Sequence, residues 1–165
     1  MRARAAIAPR MRPHFWGVAS IAAALIAASG GVHYSSCPMS DLKRSDVVSL
    51  FDRRRAAWLA SDEAAYVALW AEDMVIHLPG REEPISGRGA YAELIAESTA
   101  NMRPVSWEFH SLAIDGDRVL AEWTISGEFR ATSKEVTWRG MSICTIRDGL
   151  IVTWREYWDP AALRP

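Results

Sequence analysis

Apolar residues recur at helical spacing through Val47, Leu50, Phe51 and Trp58, with Ser45 placed to cap the start. At Ser61 the pattern restarts, with Asp62 and Glu63 in a new first turn, so two consecutive helices are expected over 45–59 and 62–71. The run from Met74 to Leu78 is short and branched and is stopped by Pro79 and Gly80, which predicts a strand and then a loop through Gly89. A third helix follows, with Tyr91, Leu94, Ile95 and Ser98 on one face, and Pro104 ends it. Turn chemistry at Asp115-Gly116-Asp117, Ala131 to Lys134 and Asp148-Gly149 divides the remainder into four long strands. Helices first and an antiparallel meander afterwards define an α+β chain.

Strand faces come next. A two-residue turn at Asp148-Gly149 pairs Arg147 with Leu150 and sets Ile143 opposite Trp154, Met141 opposite Glu156 and Arg139 opposite Trp158. The other face of the last strand (Ile151, Thr153, Arg155, Tyr157, Asp159) is more polar, so the tryptophan face is expected inward and carries Glu156 with it. There the carboxylate loses hydration, while a diagonal Arg139 would hold its charge. In the preceding hairpin His110, Leu112 and Ile114 share a face with Val119, Ala121, Trp123 and Ile125; the opposite phase, burying Trp107, Phe109 and Leu120, stays open. With the first phase inward, His110, Glu156 and Arg139 form a trio able to move protons and steady an anion. The bland alternative for Glu156 and Arg139 is a structural ion pair, and for His110 a hydrogen-bonded strand residue.

Composition adds a boundary and several exclusions. The 165 residues are 50% hydrophobic and 24% charged, proportions of one globular domain. Residues 1–40 hold four Arg and no acid, leaving 15 Lys and Arg against all 20 acids in residues 41–165. An acidic domain repels phosphate backbones, so nucleic acid is not an expected partner. The uncharged run over 15–32 has the order of an export signal or membrane anchor, and a membrane is a partner only in that case. The preferred reading is instead a late start at Met39 and a cytoplasmic domain. Of the two cysteines, Cys37 falls in the leading segment and Cys144 in a strand. Arg53-Arg54-Arg55 points several ways around the first helix and is expected in solvent, His77 at the surface or a dimer contact, and the seven tryptophans of the domain mainly in the core. Zinc spacings, phosphate-cradling glycine loops, nucleophile elbows and dinucleotide fingerprints are absent from the sequence, so no metal or cofactor is expected.

The segments Leu69–Gly80, Ile85–Tyr91 and Arg147–Pro160, the last reading Trp-Arg-Glu-Tyr-Trp-Asp at its centre, resemble the SnoaL-like branch of the nuclear-transport-factor-2-like superfamily over about residues 45–160. That resemblance implies a cone-shaped barrel, a curved and mostly antiparallel sheet wrapped on three helices, with a pocket for a small hydrophobic ligand and a homodimer. It does not fix an activity, because the family's folds carry cyclases, isomerases, epoxide hydrolases, dehydratases and non-enzymes. The ketosteroid isomerase base would fall at Leu78, its protonated acid near Met141 or Ser142 and its tyrosine near Arg54, none suited to those tasks. Limonene epoxide hydrolase has an acid where Glu156 stands, but its tyrosine and asparagine would fall at Ile76 and Leu78, and its arginine and second acid at Trp123 and Ile125.

The expected site therefore has Glu156, His110 and Arg139 as catalytic groups and Trp123, Met141, Trp154, Trp158, Ile76 and Leu78 around the substrate. Its expected chemistry is cofactor-free cyclisation, isomerisation or dehydration of a hydrophobic carbonyl compound. The alternative is a binding module that holds a small apolar ligand unchanged.

Overall fold

The computed structural model describes residues 42–163, so the leading segment 1–40, its run over 15–32 and Cys37 lie outside the described residues. Helix α1 (Arg44–Leu59) buries Val47, Leu50, Phe51, Arg54 and Ala57, one stripe at spacings of three and four. Lys43, not Ser45, occupies the capping position; Ser45 lies in the first turn, with its hydroxyl on Asp46 at 3.2 Å. Helix α2 (Glu63–Val67) is capped by Asp62, whose carboxylate accepts from the Ala65 amide at 2.9 Å. It ends earlier than the periodicity predicts because strand β1 (Trp70–His77) begins at Trp70, which pairs with Ile151 across the sheet. A short strand β2 (Ile85–Ser86) and helix α3 (Arg88–Asn101) follow.

The four long strands are β3 (Met102–Asp115), β4 (Arg118–Phe129), β5 (Lys134–Arg147) and β6 (Leu150–Trp158). Together they make an α+β fold with a six-stranded sheet in the order β2-β1-β6-β5-β4-β3. The sheet is mixed, since β1 runs parallel to β6 and every other pairing is antiparallel. It is open, with β2 and β3 as its edges, so the expected barrel does not close. Asp148 and Gly149 take φ of 54° and 75°, the paired left-handed conformations of a two-residue hairpin turn.

Beyond that turn the expected register holds for a single step. Arg147 pairs with Leu150 and Ile146 with Ile151, but Thr145 then pairs with Thr153, leaving Val152 as a bulge. Glu156 consequently faces Ser142 rather than Met141, Trp158 faces Gly140 rather than Arg139, and Trp154 faces Cys144 rather than Ile143. The bulge lets Ile151 and Trp154, three residues apart, both be buried, which strict alternation forbids. In β3 a second bulge at His110, between the pairs Phe109 with Trp123 and Ser111 with Glu122, has the same effect. Trp107 before it and Leu112 and Ile114 after it all join the core, so each of the two phases open in the sequence holds for half of the strand.

Candidate functional site

On the inner face of β6, Trp154, Glu156 and Trp158 stand in a row. The Trp154 indole N–H donates to Glu156 Oε1 at 2.9 Å and the Trp158 indole N–H to Glu156 Oε2 at 2.8 Å. Each neighbour two residues away thus fixes one oxygen, which orients the carboxylate on a rigid strand. Glu156 also lines a cleft of about 370 Å³ with His77, Leu78, Pro79, Tyr157 and Trp158, so it lies between the tryptophan core and solvent. The remaining described acids are exposed, apart from half-buried Asp117 and Glu128; Glu128 is held by Arg103 at 2.7 Å.

Behind Trp154 lies a residue that the sequence reading put in solvent. Arg54 is only 2% exposed, and its guanidinium carbon sits 3.9 Å from the Trp154 ring, 4.5 Å from Trp107, 5.2 Å from Tyr66 and 5.4 Å from Trp70. Its place on the α1 stripe, four residues after Leu50 and three before Ala57, was the available signal. Burial alone would push the guanidinium's pKa down, but Tyr66, Tyr91 and Glu156 outweigh it and keep the group charged. Burial raises the pKa of the Tyr66 phenol, with Arg54 opposing, and raises that of Tyr91 further, with Tyr66 adding to the effect. Both phenols therefore stay neutral, and the Tyr91 hydroxyl donates to that of Tyr66 at 3.4 Å. Trp154 connects the two charges: its face stacks on Arg54 while its edge donates to Glu156. A carboxylate accepting from the indole N–H enriches the ring that the cation rests on.

The structure splits the expected site residues between two faces of the sheet. Glu156, Trp154 and Trp158 are on the inner side, as are Ile76 and Trp123, each 1% exposed. Leu78 is half-buried in the cleft beside Glu156. Arg139 and Met141 are exposed on the outer side, where the alternation of β5 puts them, and the Val152 bulge in β6 turns Glu156 to the opposite face, so the expected Arg139 and Met141 contacts to the Glu156 face do not form. His110 is exposed at its own bulge, its Nε2 on Thr124 Oγ1 at 2.8 Å. His110, Arg139 and Met141 instead share an outer groove of about 840 Å³ with Glu108, Glu122 and Tyr157. His77 is half-buried at the cleft. Cys144 is enclosed, and burial pushes its thiol up to about 12, which leaves it un-ionised and unreactive at neutral pH.

An open mixed sheet whose inner face packs against three helices, with one ionisable row at the end of the last strand, places this molecule in the nuclear-transport-factor-2-like class of folds. Within that class the chain belongs to the SnoaL-like domain family, whose model matches residues 51–154. It is 26% identical over 115 residues to protein YesE of Bacillus subtilis, a match covering 66% of this chain and 78% of YesE. Among solved structures it is similar to an LEH-like epoxide hydrolase from M. tuberculosis, with 21% identity and a TM-score of 0.62 over 72% of this chain and 86% of that one. It is also similar to a protein of ketosteroid isomerase-like fold from Catenulispora acidiphila, solved with trimethylamine. That likeness has 18% identity and a TM-score of 0.63 over 69% and 88% of the two chains. Both structural likenesses establish the fold.

Proposed function

We propose that the chain takes a small hydrophobic carbonyl compound at the inner face of β6 and acts on it by cofactor-free acid/base chemistry, with Glu156 as the base. The observation that carries this reading is the Glu156 carboxylate, fixed by two indole N–H groups and lining the cleft. A carboxylate has about four lone-pair positions, so two remain to accept a proton from a carbon next to the substrate's carbonyl. Returning that proton to another carbon gives isomerisation; returning it to a departing hydroxyl gives dehydration. The epoxide hydrolase among the structural neighbours is in keeping with acid/base work on this fold. His110 and Arg139 drop out of this machinery, because they lie across the sheet from Glu156.

The test pairs native mass spectrometry of the purified protein, to identify a bound compound, with turnover of that compound. Glu156→Gln should lower kcat by roughly 10²- to 10⁴-fold with little change in KM. An unchanged kcat overturns the assignment. The second reading is a binding module, favoured because the positions of the ketosteroid isomerase base and of the second epoxide hydrolase acid hold Leu78 and Ile125, which move no protons. Recovery of the bound compound unaltered after prolonged incubation supports that reading over catalysis.

The homodimer implied by the family resemblance is proposed on the outer face of the sheet, where Met141, Ile143 and Tyr157 are 48%, 37% and 52% exposed. Arg139, Glu108 and Glu122 in the same groove give it both signs of charge, as a face that meets its own copy requires.

A further inference from the structure

We infer that the caged guanidinium of Arg54 is a receptor for a planar oxyanion, the carboxylate or enolate end of the small molecule that enters the interior. The inference rests on the interior-ligand reading above and adds to it the chemical class of the ligand. A guanidinium has five N–H donors and no acceptor, and when buried it normally meets a carboxylate in a two-pronged pair. Arg54 meets none. Its Nε and Nη1 are buried without a hydrogen-bond partner, and its closest neighbours are aromatic faces. The Glu156 carboxylate, which would be the natural partner, is engaged by the indoles of Trp154 and Trp158.

Two further buried donors without partners, the indole nitrogens of Trp70 and Trp107, belong to rings that pack on the same guanidinium. The interior around Arg54 therefore holds more N–H donors than acceptors, the acceptors within its reach being the phenol oxygens of Tyr66 and Tyr91. A structural ion pair leaves no such surplus, because buried polar groups are satisfied when structure alone places them. Water fills the need poorly, since it brings two O–H donors for every two lone pairs. A carboxylate or enolate brings acceptors only, and its flat outline matches the ring faces that stack on the guanidinium. The positive charge, already desolvated, needs no reorganisation to hold a negative oxygen.

Sodium benzoate, with benzamide as the neutral molecule of the same outline, tests this on the full chain by thermal melting. Benzoate should raise Tm by roughly 4 °C for each tenfold excess over its Kd, and benzamide should not. In Arg54→Met the benzoate response should vanish while the Tm of the free protein stays equal or rises, because an apolar side chain of similar length relieves an uncompensated buried charge. Arg54→Lys, a point charge without the planar fork, should weaken benzoate binding at least tenfold and serves if the Met variant does not fold. A wild type indifferent to benzoate, or variants that respond as the wild type does, overturns the inference. If benzoate fails while native mass spectrometry still finds a neutral bound compound, the Arg54 assignment falls and the interior-ligand reading stands; finding neither overturns both.

Discussion

Gly140 has no side chain because Trp123 lies where one would go. A Cβ built there would stand 2.7 Å from the far edge of the Trp123 ring and 2.7 Å from the Tyr157 carbonyl oxygen. That indole is 1% exposed and donates to Ser142 Oγ at 2.7 Å, so it cannot swing away without losing a buried hydrogen bond. Gly140→Ala should cost about 1–3 kcal/mol, read as a fall in denaturation midpoint at constant slope. Cys144 makes a pH-dependent statement. Its thiol ionises near 12 in the folded chain against an ordinary 9.0, so the unfolded chain loses its proton first. The stability this contributes is complete below pH 9 and declines between pH 9 and 12, at about 1.4 kcal/mol per pH unit. Melting curves from pH 8 to 11 should show that decline, shallower in Cys144→Ala, and identical slopes in both proteins would refute it. Tyr66 and Tyr91, raised by the same burial, add to the decline above pH 10 in both proteins.

At the scale of elements, what was legible in the sequence was local. The four long strands and the hairpin turns between them follow from Gly116 and from Asp148-Gly149, because a left-handed backbone needs those residues. The stripe on α1 was equally legible, yet the charge of Arg54 masked its place in it. Illegible were features set by distant pairing: the early start of β1 at Trp70, dictated by β6, and the bulges at His110 and Val152. Neither bulge residue is a glycine, so nothing local announces them, and each turns the following side chains to the opposite face. The inward row of Trp154, Glu156 and Trp158 was thus legible, whereas Arg139, the guanidinium expected beside it, is on the outer face and the buried guanidinium, Arg54, is on helix α1. The bulge yields a contrast between two deletions. Removing Val152 restores plain alternation with Ile151 and Trp154 still inward and should cost about 1–2 kcal/mol. Removing Arg155 turns Glu156 and Trp158 outward and should cost more than about 4 kcal/mol. Chemical denaturation ranks the two, and equal costs would show that Val152 does not set the phase.

For the whole molecule, the two faces of the sheet divide the work. The inner face keeps two opposite charges apart with an indole between them, Arg54 buried and Glu156 at the cleft, while the outer face exposes apolar residues that a solitary domain has little reason to present. Were the outer groove a second reactive site, its His110, Glu108 and Arg139 would gather around a common point; instead His110 is tied to Thr124 and Glu122 to Ser111 at 3.0 Å, neighbours within the sheet itself. A patch with both signs of charge around Met141, Ile143 and Tyr157 is better suited to a two-fold copy, in which the Arg139 of each chain meets the acids of the other. Met141→Glu would then bury an uncompensated carboxylate at the centre of the contact. By sedimentation equilibrium the wild type should be dimeric and Met141→Glu monomeric. Because Met141 is exposed in the single chain, far-ultraviolet circular dichroism of the variant should remain that of the wild type. A wild type that sediments as a monomer removes the dimer, and a Met141→Glu dimer of undiminished strength moves the contact to another face.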